Sequence, residues 1–357
     1  MRIYIFSITK NLEASSLMQE KILFGTYTKK TSKGIYEAIL DTDKKALIEP
    51  TLVAEIGNPT YLTTSKANKL YSVDKHGSEG GVVVFDNATR PATKLSEHII
   101  DAAPAYVAVD EDRQLLYAGY YHTGVVEVLK IDGDKLTLTD SVTNVGSGPR
   151  PEQGSAHVHF TNLTPDNRLV VVDLGSDKVD VYDVSAEGKL SLVSTYVTAA
   201  GFGPRHIRFS PDGKHAYLLG ELSSLMSVLE YDATSGSFKL VETVSTKPAD
   251  WTEHNGTAAI RITKDGKFIY ASNRGHNSIV VFAVSEDGAK AEQIQLISTE
   301  GEFPRDFALN ATEAFLVVAN QDTDNVSLFE RDATTGKLTL LQKDFAIPEG
   351  VRVHFEG

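Results

Sequence analysis

Cysteine is absent from all 357 residues. That excludes disulfides and thiolate metal sites, and it fits a reducing compartment such as the cytoplasm. Basic charge is scarce: 35 Lys and Arg against 48 Asp and Glu leave a net charge of −13, with no basic run. The average surface therefore repels nucleic acid and anionic membrane, and any anion must be held locally by a few placed arginines. Long apolar runs are missing as well. Met1–Ile8 is apolar but carries Arg2, has no small-residue cleavage site, and is far too short to span a bilayer. Disorder is excluded from the other side, because 41% of the residues are hydrophobic.

What is present is a repeat. A short apolar strand ending in small or polar residues recurs seven times: ILFGTYT (22–28), LYSVDK (70–75), LLYAGYY (115–121), LVVVDLG (169–175), AYLLGEL (216–222), FIYASNR (268–274) and FLVVANQ (315–321). The spacing of roughly 45–55 residues is propeller-blade length. Each copy is followed by a strand of period-two alternation, such as VDVYDV, then a turn such as ATTGK, then a fourth strand of the KLTLTDSV kind. Most copies are preceded by a strand ending in TPDNR (164–168), SPDGK (210–214) or TKDGK (263–267), turns whose Gly or Asn accepts positive φ. The pattern predicts an all-β, seven-bladed propeller of four antiparallel strands, A to D, per blade. The first copy lacks its A strand, and VRVHF (351–355) is expected to supply it and close the ring. The domain is expected over 21–357. Residues 1–20 are expected to be an extension, with Met18 the natural start and 1–17 an addition before it.

Strands A and B form a hairpin, so the start of A and the end of B share one rim of the central channel. A convergent channel mouth is where a pocket belongs. At the A-strand starts stand His157, His159, Arg205 and Arg305; at the B-strand ends stand Asp173, Glu221, Asn273, Arg274, Asn320 and Gln321. His157–Asp173, Arg205–Glu221 and Arg305–Gln321 are each about 16 residues apart, the separation that a hairpin needs to bring its ends together. The position of Glu221 in one repeat holds Arg274 in the next and Gln321 in the one after, while flanking positions stay apolar. His157 and His159 are expected to share a strand face, and His206 to point to the other face as a structural residue. Trp251 lies in a long connection (247–257) that can lid the pocket or anchor the loop.

Over GSAHVHF (154–160), VVDLGSDKV (171–179), GPRHIRFSPDGKHAYLLGEL (203–222), FIYASNRG (268–275) and FPRDFALN…FLVVANQ (303–321), the chain resembles the lactonase family of seven-bladed propellers. That family includes bacterial propeller-type 6-phosphogluconolactonases and fungal carboxymuconate lactonizing enzymes. The resemblance implies a catalytic set of His157, Arg205, Glu221 and Arg274, with His157 the general base and either His157 or His159 able to fill that role. The clustering at the rim adds His159, Arg305, Asp173, Asn273 and Gln321 as expected substrate contacts; the resemblance implies no metal, and no cofactor is expected. Hydrolysis of a lactone needs a base for water, donors for the tetrahedral oxyanion and a proton for the leaving alkoxide.

Three functions are open on these residues. A lactonase acting on a small anionic sugar lactone, 6-phosphoglucono-1,5-lactone first, predicts a pocket with at least two arginines. A carboxymuconate-type cycloisomerase would use the same groups on a polycarboxylate. A non-catalytic binding platform predicts a flat mouth with His157 and Glu221 bonded away from it. A scaffold built on a repeated Trp-Asp signature is excluded by the single tryptophan. No nucleic-acid or membrane partner is expected, and the oligomeric expectation is a monomer or weak homo-oligomer.

Overall fold

The computed structural model describes residues 18–357; the expected extension over 1–17 lies outside the described residues. Twenty-eight strands form seven four-stranded sheets, and one 3-10 turn at Pro151–Gln153 is the only helical element among the described residues. Among the described residues no helix is long and apolar enough to cross a membrane. Each sheet is one blade. The A and B strands, in order, are Gly350–Phe355 with Gln19–Thr26, Leu62–Thr64 with Lys69–His76, and Tyr106–Asp110 with Leu115–Gly119. Blades 4 and 5 follow with Val158–Leu163 and Leu169–Asp173, then Pro204–Phe209 and His215–Gly220. Blades 6 and 7 supply Gly256–Ile262 and Phe268–Arg274, then Pro304–Leu309 and Phe315–Asn320.

All seven repeated apolar segments are B strands. They read as continuous rather than alternating hydrophobic runs because each lies between two neighbouring blades and is covered on both faces. His215–Gly220 is buried at every position, whereas the outermost strand of that blade, Ser237–Ser245, has no fully buried residue. The core is accordingly made between blades. Ile22 and Phe24 of blade 1 pack with Val317 and Ala319 of blade 7, and Tyr217 and Leu219 of blade 5 with Ile269 and Ala271 of blade 6. Each of the larger side chains among them contributes about 1.5–3 kcal/mol by leaving water, so the contacts between blades stabilise the ring.

The chain's last strand closes the ring as the repeat predicts: Ile22 pairs with Phe355 and Phe24 with Val353, antiparallel. The B strand of blade 1 begins at Gln19, two residues before the expected domain start at Lys21. Closure is reinforced above the sheet. One carboxylate, Glu349, accepts the backbone N–H groups of Lys29, Lys30, Thr31 and Ser32 at 3.0–3.2 Å. The end of the chain thereby fixes the loop that follows its first strand.

Candidate active site

Where strand A meets strand B, the pairing register slips by one residue at the same place in blades 1, 4, 5, 6 and 7, and in three of them the residue left over is a histidine or an arginine. Val158 pairs with Asp173 and Phe160 with Val172, leaving His159 between them. Arg205 is left over in the same way between Pro204–Gly220 and His206–Leu219, and Arg305 between Pro304–Asn320 and Asp306–Ala319. A bulge of this kind bends the strand and re-aims the extra side chain. The bulge residues His159, Arg205 and Arg305 therefore share one tier of the channel. This corrects the sequence register, which aligned His157 with the two arginines. The A–B turn of blade 4 is TPDNR between Leu163 and Leu169, one residue shorter than its counterpart between Phe209 and Ala216. A spacing of 16 residues therefore means a different slot in that blade.

Following the same registers round the ring, the slot at the rim end of the B strand holds Tyr27, Lys75, Tyr121, Leu174, Glu221, Arg274 and Gln321 in blades 1 to 7. Five of these seven line a cavity of about 400 Å³ at the channel mouth, with Lys29, Asn58, Thr60, His122, His159 and Arg305. Thus the sequence reading found the slot in blades 5 to 7 and missed it in blades 1 to 3. The signal was available: Tyr27 in GTYT, Lys75 in SVDK and Tyr121 in AGYY close their repeats as Glu221 closes its own.

An ion-pair network spans blades 5 and 6. The Arg205 Nε donates to Glu221 Oε1 at 3.1 Å, and the Arg274 guanidinium donates to the same oxygen. Arg205 also donates to the Ala258 carbonyl at 2.5 Å, and Arg274 Nε to the Gly256 carbonyl at 3.1 Å. Burial works to raise the Glu221 carboxyl, but Arg274 and Arg205 outweigh it and hold it below the usual carboxylate range. It is an anion at neutral pH and no proton donor. Arg205, only 2% exposed, is pulled down to about 9 by burial and by the neighbouring Arg274. Across the mouth, Arg305 donates to the Tyr27 hydroxyl at 2.6 Å, and its positive charge lowers the Tyr27 phenol.

The two histidines differ. His159 is 6% exposed and faces the cavity; burial, then Arg205, keep it well below the ordinary histidine range and neutral. Its Nδ1 lies 3.3 Å from His206 Nε2, and His206 Nδ1 is buried without a partner. A buried orphan N–H costs more than an orphan lone pair. The lower-energy assignment therefore has His206 Nε2–H donating to His159 Nδ1, which leaves His159 with an Nε2–H. His206 does not point away from the site, as expected from alternation, but stands in the next tier of the channel beneath it. His157 stacks face to face on Tyr121 at 4.3 Å and is half-buried behind it, outside the cavity lining. Its Nδ1 lies 2.6 Å from the Tyr121 carbonyl, which only accepts, so Nδ1 carries the proton and Nε2 is a free base.

Several expected substrate contacts are not at the cavity. Asp173 is fully buried and caps the blade-4 turn, accepting N–H groups from His157, Gly175 and Ser176 and the Asn144 amide. Asn273 is likewise fully buried, bonded to Thr246, Asn255 and Ser278. Both occupy the slot before the rim, where Gly220 stands in blade 5, and their polar atoms are consumed by the fold. Gln321 holds the rim slot of blade 7 but is not among the cavity's lining residues. Trp251 anchors its loop edge-on against His276 and is no lid. No group of three or more His, Asp or Glu among the described residues is arranged to hold a metal ion.

A family model described as "Lactonase, 7-bladed beta-propeller" matches residues 21–355. The 6-phosphogluconolactonase of Bacillus subtilis is 43% identical over 338 residues, covering 93% of this chain and 97% of that protein. A solved structure of a protein from Lactobacillus plantarum superimposes with a TM-score of 0.94 at 57% identity, covering 95% of this chain and all of that one. The periplasmic gluconolactonase of Pseudomonas aeruginosa gives a TM-score of 0.88 at 29% identity, covering 95% and 99%.

Proposed function

The chain belongs to the lactonase family of seven-bladed β-propellers, and from that premise we propose that it hydrolyses 6-phosphoglucono-1,5-lactone to 6-phosphogluconate in the pocket at the channel mouth. The observation that carries this reading is the charge of the cavity wall. Lys29, Lys75, Arg274 and Arg305 line it against a single carboxylate, Glu221, in a protein whose net charge is −13. A concentrated positive wall in an acidic protein selects a small anion, and about 400 Å³ accommodates a phosphorylated hexose ring.

His157 stands behind Tyr121 and outside the cavity lining, so its free Nε2 takes the proton by way of one bridging water as the attacking water oxygen adds to the lactone carbonyl. His159, through Nε2–H, and the guanidinium of Arg274 donate to the oxyanion that forms. The acyl–oxygen bond then breaks, and the proton held by His157 passes to the ring oxygen, which leaves as the hydroxyl. A neutral imidazole donor at the oxyanion has the advantage that it does not compete for the proton. Glu221 holds Arg205 and Arg274 in place, and the free ammonium groups of Lys29 and Lys75 receive the phosphate. A phosphorylated sugar is a compound of the cytoplasm, so the proposal carries that location with it.

The test is stopped-flow hydrolysis of freshly generated 6-phosphoglucono-1,5-lactone, spontaneous opening subtracted, beside unphosphorylated glucono-1,5-lactone. Catalysis of the phosphorylated substrate with a higher kcat/KM supports the reading. No acceleration of either lactone sinks it, and equal kcat/KM for the two removes the phosphate from the assignment.

A further inference from the structure

The channel has a second mouth, at the A–B turn end of the blades, and its chemistry is as one-sided as that of the first. There Arg208 of blade 5, Arg261 of blade 6 and Arg352 of blade 1 line a cavity of about 300 Å³ with Asn162 and His354. One carboxylate, Asp306, stands among the three guanidiniums, and it is already saturated. Its Oδ1 accepts from Arg261 at 3.0 Å, and its Oδ2 from the Val353 N–H at 2.8 Å and Arg352 at 3.4 Å. Arg208 has no carboxylate within ion-pair distance among the described residues. Its contacts are the Ile207 carbonyl at 3.4 Å and the Phe160 ring at 5.5 Å.

His354 brings no negative charge. Its Nε2 is 2.8 Å from Thr64 Oγ1, and burial with Arg352 and Arg261 holds it down to about 3, so it is neutral. Three half-buried or buried cations thus line one cavity with a single counter-charge; burial, and then Arg208 and Arg352, lower Arg261 against the opposing pull of Asp306. An anion in this cavity would supply the counter-charge that Arg208 lacks. The two cavities share no lining residue, and the buried, stacked rings of Tyr61 and Tyr106, 4.3 Å apart, line only the distal one of the two, so an anion here is distinct from one in the pocket described above.

We infer that the distal mouth of the channel is a second anion site, in which Arg208, Arg261 and Arg352 bind a phosphate group, free or as a small phosphate monoester. Guanidinium forks match phosphate oxygens in pairs, and Asn162 adds a neutral amide at the edge. Arg208 is the residue to vary, because it is half-buried, has one weak backbone bond, and is absent from the catalytic pocket.

Inorganic phosphate titrated calorimetrically into wild type, Arg208→Gln and Arg208→Lys tests this. Wild type is expected to bind one more phosphate than Arg208→Gln, or to bind its distal phosphate at least tenfold more tightly. Arg208→Lys is expected to fall between, and kcat and KM for the lactone to be unchanged in all three. Superimposable titrations of wild type and Arg208→Gln overturn the site. So does an Arg208→Gln loss that Arg208→Lys shares in full together with a fall in melting temperature, which would make the residue structural. Succinate binding as tightly as phosphate, with the same dependence on Arg208, overturns the phosphate assignment in favour of dicarboxylates.

Discussion

The two halves of the catalytic pocket are built differently. On the side of blades 5 and 6, Arg205, Glu221 and Arg274 are locked by ion pairs and by backbone carbonyls. On the side of blades 1 and 2, Lys29 and Lys75 make no ion pair among the described residues, and Lys29 is exposed, 4.1 Å above the Tyr27 ring. A locked guanidinium offers a fixed direction, which a developing oxyanion requires. A free ammonium offers charge without direction, which suits an anion that is only held. The difference teaches which half does chemistry and which half binds, and it can be broken from either side.

The largest effect is expected beside the locked side, at the two histidines of blade 4. His157→Gln keeps ring-sized bulk but removes the base, and kcat should fall by about 10²–10⁴ with KM little changed. His159→Gln retains a donor and should cost less, about tenfold. The reverse ranking would exchange the roles of the two histidines. Measured kcat and KM for both variants decide it. Next comes Glu221→Gln, which leaves two guanidiniums without their counter-charge. Breaking a buried pair from one side costs about 3 kcal/mol, and kcat should drop roughly a hundredfold as Arg274 loses its direction.

That stability loss has a pH signature. The folded state holds the Glu221 carboxyl below its ordinary value of 4.5. Its contribution is therefore complete above about that pH and disappears as pH falls through the lower folded value. Denaturant midpoints of wild type and Glu221→Gln should differ most near pH 7 and converge as pH is lowered below 4.5. A constant difference would mean that the loss is one of packing and not of charge.

The free side should respond in KM. Lys75→Met keeps the chain's apolar stem and removes the charge. An expected rise in KM of about 10–30-fold for the phosphorylated lactone, with kcat within a factor of three, corresponds to the loss of one charged hydrogen bond. The unphosphorylated lactone should not notice. An equal loss on both substrates would move Lys75 out of the phosphate contact.

How much of this was legible follows from the same contrast. The seven B strands and the closing strand were readable because burial on both faces makes their apolar runs continuous and because a ring needs its missing strand. Arg205, Glu221 and Arg274 were readable because they interrupt that pattern. Tyr27, Lys75 and Tyr121 were not picked out, although they hold the same slot, because tyrosine and lysine at a strand end look like ordinary rim residues. Asp173 and Asn273 were picked out wrongly: a carboxylate or amide at a strand end can equally be consumed by turn N–H groups, and only the bulge register separates the two slots. His157 lost its alignment with Arg205 to one residue missing from a turn.

The smallest expected effect links the halves through ring closure. Glu349 touches neither the cavity nor the ion-pair network, yet its carboxylate gathers four N–H groups of the loop that carries Lys29. In Glu349→Gln the amide oxygen can still accept some of these bonds, but its NH₂ opposes the rest. The loop should loosen before the ring opens, because strand pairing from Ile22 to Gly25 is independent of it. The outcome expected is a two- to five-fold higher KM for the phosphorylated lactone, unchanged kcat, and faster amide exchange at residues 29–32 alone. If kcat falls with KM, or if exchange quickens across the Gln19–Thr26 strand as well, Glu349 is holding the ring together and not merely aiming the free side of the pocket.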